Sequence, residues 1–148
     1  MRSLLFKINT LRKSGKKIVF TNGCFDIIHA GHIKLFERCK KLGDIVVVGL
    51  NSDKSIKRLK GPTRPINSLS DRIKVLSAIE YVDFIVVFDK DTPYHIIKAI
   101  KPDFLVKGGD YRVNEIVGRE FAKMVVRVKH LNGRSTTGII RKIEKRLK

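Results

Sequence analysis

Cysteine is scarce in this sequence, and long apolar runs are missing from it. The two cysteines, Cys24 and Cys39, are too few for a disulfide framework, and no CxxC or Cys/His spacing typical of a zinc site occurs. No segment approaches the roughly 20 apolar residues needed to span a bilayer. The first six residues are too short and too interrupted for a signal peptide. We therefore expect a cytoplasmic location and no membrane association.

Acidic residues are also few. Asp and Glu number 14 against 32 Lys and Arg, which gives a formal net charge of +18. Such a balance suits a polyanionic partner, whether nucleic acid, an anionic membrane or a phosphorylated substrate. The basic residues are spread over several segments rather than gathered in one arm or tail. This distribution favours a solvated basic surface that attracts a phosphorylated substrate, with no specific nucleic-acid partner.

Short β-branched runs alternate with helical patterns along the 148 residues. The pattern predicts strands at residues 17–20, 44–49, 84–88, 104–107 and 124–129. It predicts helices at residues 31–42, 53–59, 69–81, 93–100 and 137–147, and a proline-containing loop at 60–67. Strands that alternate with helices form right-handed βαβ units. We therefore expect an α/β, doubly wound fold with a five-stranded parallel sheet, in a single domain over residues 1–148.

The stretch TNGCFDIIHAGH, residues 21–32, follows the first predicted strand. Asn-Gly is a strong hairpin signal, but the two histidines and the apolar residues after them indicate the start of an amphipathic helix. In a doubly wound sheet, ligands bind beyond the carboxyl ends of the strands, where free helix N–H groups face the crevice. We predict a βα turn in which Gly23 allows close approach of an anion. His29 and His32 then project from one side of the helix start, with Gly31 leaving room between them.

Three further segments fall at the same edge of the predicted sheet. Ser135, Thr136 and Thr137 open the last helix, where hydroxyls and free N–H groups can hold phosphates or simply cap the helix. Residues 51–53 follow the second strand, where Asp53 alternatively only caps the next helix. Residues 108–111 follow the fourth strand, and Asp110 can accept hydrogen bonds from ribose or sugar hydroxyls; the alternative is an ordinary turn.

Two motifs carry a family resemblance. HAGH at residues 29–32 resembles the HxGH motif of the nucleotidyltransferase superfamily, and RSTT at 134–137 resembles that superfamily's C-terminal phosphate motif. More narrowly, GCFDIIHAGH, GLNSD, KRLKGPTRPI, TPYHIIKAIKPDFLVKGGDY and GRSTT resemble the adenylyltransferase unit of bacterial ADP-heptose synthesis. The resemblance covers about residues 15 to 145. The kinase domain that is fused to this unit in many bacteria is not part of this sequence.

The resemblance implies transfer of AMP from ATP to D-glycero-β-D-manno-heptose 1-phosphate, with Mg²⁺ arriving on the ATP. It implies catalytic roles for His29, His32 and Arg72, although Arg72 alternatively only pairs with Asp71 or a neighbour. It implies nucleotide binding by Asn22, Gly23, Cys24, Phe25, Gly31, Gly109, Asp110, Ser135, Thr136 and Thr137. It implies acceptor binding by Asp26, Asn51, Asp53, Lys60 and Arg64.

Two other functions remain open from the sequence. A cytidylyltransferase acting on glycerol 3-phosphate or a similar alcohol phosphate would share both motifs, although the segments around Lys107 and KGPTRP favour the heptose branch. A basic nucleic-acid-binding module is the alternative of another class, but no recognition-helix, zinc-finger or aromatic RNA-binding pattern supports it. A homodimer is compatible with the sequence.

Overall fold

A computed structural model describes residues 1–109, 112–129 and 135–147. In chain order the elements are α1 (Arg2–Lys13), β1 (Ile18–Gly23), α2 (Ala30–Leu42), β2 (Ile45–Asn51), α3 (Asp53–Lys60), α4 (Leu69–Ser77), β3 (Phe84–Phe88), α5 (Tyr94–Ile100), β4 (Phe104–Gly108), β5 (Met124–Val128) and α6 (Thr136–Leu147). Two single 3₁₀ turns, Val113–Glu115 and Arg119–Phe121, lie between β4 and β5. In this part of the chain, no helix is both long and apolar enough to cross a membrane.

The five strands form one parallel sheet in the order β3-β2-β1-β4-β5. Helices α1 and α5 contribute core residues on one face, and α2 and α4 on the other. The predicted doubly wound α/β fold is therefore confirmed. The strand order reverses direction between β1 and β4, and in such sheets the ligand crevice opens at this point.

Helix α2 is held against the sheet by an apolar stripe. Leu35, Phe36 and Cys39 are buried on its inner face, and burying a Leu or Phe side chain contributes about 1.5–3 kcal/mol. Burial also raises the pKa of the Cys39 thiol to about 12, so the group stays protonated and serves packing. This stripe fixes the direction of α2, and with it the place where the helix begins.

One helix was not predicted, and two elements end three or more residues away from their predicted ends. Helix α1 was not predicted, although Leu4, Leu5, Ile8 and Leu11 have helical spacing. The helix is fixed to the domain because Ile8 is fully buried and Arg12 Nη2 donates to the carbonyl of Ile100 at 2.7 Å. Helix α4 ends at Ser77 rather than at residue 81, because the chain turns at residues 78–82. Strand β1 continues to Gly23, because its pairing with β2 extends to Leu50.

Candidate active site

A cavity of about 430 Å³ lies at the carboxyl edge of the sheet, next to the ends of β1 and β4. Many of the predicted site residues line it: Asn22, Gly23, Cys24, Phe25, Asp26, His29, Gly31, His32, Asn51, Lys60, Ser135, Thr136 and Thr137. They come from four separate segments of the chain. The fold thus brings together the two motifs that stand more than 100 residues apart in the sequence.

The loop from β1 to α2 forms one wall. Gly23 is the last residue of the strand, and a Cβ at this position would lie 3.1 Å from the Phe25 ring. The left-handed backbone is at Phe25 instead, with φ of 44°. Gly23 was predicted to lie within the βα turn; it instead ends the strand, and its missing side chain makes space for the Phe25 ring. That ring in turn contacts the His32 ring edge-on, with centroids 5.1 Å apart.

Both histidines stand at the start of α2. His29 is the N-cap residue, and its Nδ1 accepts a hydrogen bond from the backbone N–H of Gly31 at 3.2 Å. An accepting Nδ1 carries no proton, so the neutral ring holds its proton on Nε2. The His29 and His32 rings stack with centroids 3.8 Å apart. The two imidazoles therefore form one unit on the same side of the helix start, as the three-residue spacing predicted.

The start of α6 faces the same cavity. Ser135 Oγ accepts the backbone N–H of Gly138 at 3.0 Å and so caps the helix. Thr136 Oγ1 donates to the carbonyl of Ile27 at 3.4 Å, which ties α6 to the β1–α2 loop. Two helix N-termini therefore converge on one cavity, and the N–H groups and dipole of each favour an anion.

Asp26 and Arg64 pair with each other. Arg64 Nη2 lies 2.8 Å from Asp26 Oδ2, and the same carboxylate accepts the backbone N–H groups of Ile66 and Asn67, each at 2.9 Å. Both were predicted to bind the acceptor. Instead, the carboxylate of Asp26 anchors the loop that joins α3 to α4, and Arg64 pairs with that carboxylate through Nη2. Lys60, at the end of α3, lines the cavity.

Arg72 lies behind the cavity wall. Its side chain is fully buried, Nη1 donates to the carbonyls of Cys24 at 2.7 Å and Asn51 at 2.9 Å, and Nη2 pairs with Asp53 at 2.7 Å. Nε donates to the carbonyl of Asn67 at 3.2 Å. Internal hydrogen bonds thus engage the guanidinium that was predicted to be catalytic, which matches the alternative that Arg72 pairs with a neighbour. Asp53 also differs from its prediction, because it serves Arg72 and lies outside the cavity lining.

The remaining predicted residues follow β4 or precede α6. Gly109 has φ of 123° and donates its N–H to the carbonyl of Val128 at 3.0 Å, and it is not part of the lining. Asp110, Tyr111 and Arg134 lie outside the described residues. Gly108, one residue earlier, does line the cavity.

Sequence reasoning missed several lining residues, chiefly Lys107 and Lys129, together with Asp91. Lys107 is the most informative, because it sits inside a strand and burial lowers the pKa of its ammonium to about 8. A lysine within an otherwise apolar strand, immediately before two glycines, was the signal that could have found it. Asp91 pairs with Arg58 Nε at 3.0 Å.

Fold and site together define a nucleotidyltransferase, since a Rossmann-like sheet presents an HxGH helix start and a second phosphate-type helix start to one basic crevice. The chain belongs to the cytidylyltransferase-like family, whose model matches residues 20–143.

Comparison with individual proteins is consistent with this family. The chain is 57% identical over 133 residues to the bifunctional protein HldE of Campylobacter concisus. The matched region covers 90% of this chain and 28% of that protein. It is 54% identical over 143 residues to the bifunctional protein HldE of Helicobacter hepaticus, covering 97% of this chain and 29% of that protein. The chain thus spans less than a third of the length of these curated relatives.

One solved structure is similar over its entire length. The lipopolysaccharide core biosynthesis protein of Thermoplasma volcanium matches with a TM-score of 0.66 and 28% sequence identity. The match covers 80% of this chain and 100% of that protein. The shared fold therefore includes most of the sheet and helices described above.

Proposed function

We propose that this chain transfers AMP from ATP to D-glycero-β-D-manno-heptose 1-phosphate, giving ADP-heptose and pyrophosphate. One observation carries the proposal: the starts of α2 and α6, with His29, His32 and Thr136, face a single cavity that also holds Lys60 and Lys107. Such a site suits two phosphorylated substrates. The heptose acceptor rests on the motif resemblance described above and on the identity of 54–57% to the HldE relatives.

The chemistry asks for positioning and charge neutralisation. A sugar 1-phosphate has its second ionisation near pH 6, so at neutral pH its oxygen can attack the α-phosphorus without a general base. The enzyme then has to hold acceptor and donor in line and stabilise the charge that grows on the α-phosphoryl and pyrophosphate oxygens. In this proposal, Nε2–H of His29 and the ring of His32 donate to those oxygens. The hydroxyls and N–H groups of residues 135–137 hold the β- and γ-phosphates.

Mg²⁺ belongs to the proposal as a companion of the nucleotide. Among residues 1–109, 112–129 and 135–147, no group of three or more His, Cys, Asp or Glu side chains could hold a metal ion. These residues therefore suit an ion that takes its ligands from the triphosphate and from water, as Mg²⁺ does with nucleotides. When bound, it would offset phosphate charge during the displacement.

A second function has one observation in its favour. The family model is described as cytidylyltransferase-like, which keeps CTP with glycerol 3-phosphate, or a similar alcohol phosphate, as the rival pair of substrates. The two proposals share the site and differ in the base and in the acceptor.

Pyrophosphate release separates them. The protein is incubated with Mg²⁺ and either ATP or CTP, each with heptose 1-phosphate, with glycerol 3-phosphate or with no acceptor. We expect pyrophosphate and ADP-heptose with ATP and the heptose phosphate, and CTP to be a poor donor. Production of CDP-glycerol without turnover of the heptose phosphate would overturn the adenylyltransferase proposal and favour the rival. The His32→Ala variant serves as the control for contaminating enzymes.

The extent of the functional unit is also a proposal. We infer that residues 1–148 fold as one nucleotidyltransferase domain acting in the cytoplasm, with ATP and a sugar 1-phosphate as its partners and no specific nucleic acid. Whether two copies associate can be measured by light scattering coupled to gel filtration.

A further inference from the structure

Two successive rows of side chains cross the face of the sheet that packs on α1 and α5. The first row, further from the carboxyl ends of the strands, is apolar throughout and belongs to the core. In sheet order it consists of Phe84, Val47, Phe20, Leu105 and Val125. Side chains two residues further along a strand return to the same face. The next row therefore runs through Val86, Gly49, Asn22, Lys107 and Arg127. On β1, β4 and β5 this row is polar, at Asn22, Lys107 and Arg127, so the core of this face ends there, whereas Val86 on β3 still belongs to the core.

Asn22 and Lys107 are neighbours in that polar row. Thr21 pairs with Val106 across β1 and β4, so the next residue on each strand stands beside the other. Both line the cavity. Among the described residues, the buried Oδ1 of Asn22 accepts no hydrogen bond, and burying a polar atom without a partner is costly. Lys107 is itself partly desolvated, which is the cause of its lowered pKa. Lys107 and Asn22, which we call the floor of the cavity, therefore place an ammonium group beside an oxygen that can accept a hydrogen bond. Both stand next to the apolar row of the core.

The histidines reach the cavity from the opposite side of the sheet. Helix α2 packs on the face that includes Val19, Val46 and Val48, whereas Lys107 belongs to the α1 and α5 face. An in-line displacement needs the attacking oxygen and the leaving pyrophosphate on opposite sides of the α-phosphorus. If the starts of α2 and α6 hold the triphosphate, the attacking group must approach from the other side.

We propose that Lys107 binds the phosphate of the acceptor substrate on the floor of the cavity, and that Asn22 Oδ1 accepts a hydrogen bond from an adjacent acceptor hydroxyl. The ligand class is a phosphorylated polyol or sugar. This inference rests on the proposed nucleotidyl transfer and adds to it a subsite and a direction of attack. It also adds a strand residue to the predicted acceptor cations Lys60 and Arg64, of which Asp26 engages Arg64.

The test removes the charge while keeping the length of the side chain. Lys107→Met and Lys107→Gln are compared with Lys74→Met, which makes the same charge change on the exposed face of α4. We expect the KM for heptose 1-phosphate to rise about 10- to 100-fold in both Lys107 variants, the range for losing a hydrogen bond to a charged group. The Kd of ATP, measured by calorimetry, should change less than about threefold. Lys74→Met should match the wild type in both values, and circular dichroism melts establish that the variants fold.

Two results would overturn the subsite. One is an unchanged KM for the acceptor in both folded Lys107 variants; the other is a loss of ATP affinity as large as the loss of acceptor affinity. Failure of the proposed function would look different, because the wild-type protein would then release no pyrophosphate with heptose 1-phosphate. In that case inorganic phosphate is titrated into the wild type and into Lys107→Met, each saturated with α,β-methylene-ATP. Weaker phosphate binding by the variant supports the anion subsite, and equal binding overturns it.

Discussion

Asp26 and Arg64 form a buried ion pair at the edge of the cavity. Arg64 Nη2 lies 2.8 Å from Asp26 Oδ2, and the two side chains are 12% and 1% exposed. Because the same carboxylate accepts the N–H groups of Ile66 and Asn67, it joins the β1–α2 loop to the loop between α3 and α4. One carboxylate thus holds together two of the segments that surround the site.

The first prediction concerns the cost of breaking this pair. Asp26→Asn leaves a buried guanidinium without its counter-charge and should lower the free energy of unfolding by about 3–5 kcal/mol. Arg64→Met should cost less, about 1–3 kcal/mol, because the carboxylate keeps two backbone donors. Lys16→Met is the control, since its exposed pair with Asp44 at 3.5 Å should be worth at most about 1 kcal/mol. Urea unfolding measures all three, and equal losses for Asp26→Asn and Lys16→Met would contradict the assignment.

The second prediction concerns Arg72, whose guanidinium joins three loops through their carbonyls. Arg72→Met leaves those carbonyls without their donor and Asp53 without its counter-charge, so we expect it to cost at least about 3 kcal/mol. Arg72→Lys should also lose stability, because one ammonium cannot reproduce the planar fork. Arg38→Met, on an exposed position of α2, is the matched control.

Enzyme kinetics distinguish this positioning role from direct phosphate binding by Arg72. A positioning residue should raise the KM of both substrates together in Arg72→Lys, because the loops that it joins serve both. A loss confined to kcat, in a variant as stable as the wild type, would instead restore Arg72 to the catalytic set.

The fold was predictable because its signals are local. Strand and helix periods alternate cleanly, and each site motif stands where a strand ends or a helix begins, so the topology carries the motifs to one edge of the sheet. The stacking of His29 on His32 follows from their spacing on one helix.

The misplaced residues depend on partners that are distant in sequence. Arg64 was assigned to the acceptor from the family resemblance, but the carboxylate that pairs with it lies 38 positions earlier, at Asp26. Gly23 was assigned to a turn because its contact with the Phe25 ring exists only once the loop is folded. Lys107 was passed over because four apolar or small neighbours made its segment look like a core strand. Nothing in a strand period says where the core of a sheet face ends.

The third prediction separates two roles of His29, that of helix cap and that of hydrogen-bond donor to the substrate. Asn is among the best N-cap residues, so His29→Asn should keep the cap on the Gly31 N–H and lose the imidazole. His29→Ala loses both, and should be less stable than His29→Asn by about 1 kcal/mol. Both should lower kcat by at least the roughly 10² typical of one lost transition-state donor. Full activity in His29→Asn would reduce His29 to a cap.

The fourth prediction applies the same measurement to His32, which does not cap the helix. His32→Ala should keep a folded domain and lower turnover at least about 10²-fold. Circular dichroism and a pyrophosphate release assay check the two parts. Turnover within a few-fold of the wild type would remove His32 from the mechanism.

The last prediction uses pH. Burial lowers the pKa of Lys107 from 10.5 to about 8 in the folded protein. The unfolded chain therefore binds more protons than the folded one between about pH 8 and 10.5, and this group's contribution to stability rises with pH across that window. Lys107→Met should accordingly be the more stable protein at pH 7, by at most about 3 kcal/mol, with an advantage that shrinks by pH 10.

Acceptor binding should move in the opposite direction. The acceptor phosphate needs the protonated amine, so kcat/KM of the wild type for heptose 1-phosphate should be highest below about pH 8 and fall as pH rises through that value. In Lys107→Met, kcat/KM should be low and should not change over that range. Other ionisable groups line the same cavity and are the reason for using the variant as reference: Cys24, Asp26, His29, His32, Lys60, Asp91 and Lys129. Parallel pH profiles for wild type and Lys107→Met would show that one of those groups, not Lys107, controls acceptor use. Unfolding curves and initial rates from pH 7 to 10 test both halves of the prediction on one pair of proteins. A desolvated lysine that binds substrate makes its contribution to stability rise with pH while kcat/KM for the acceptor falls.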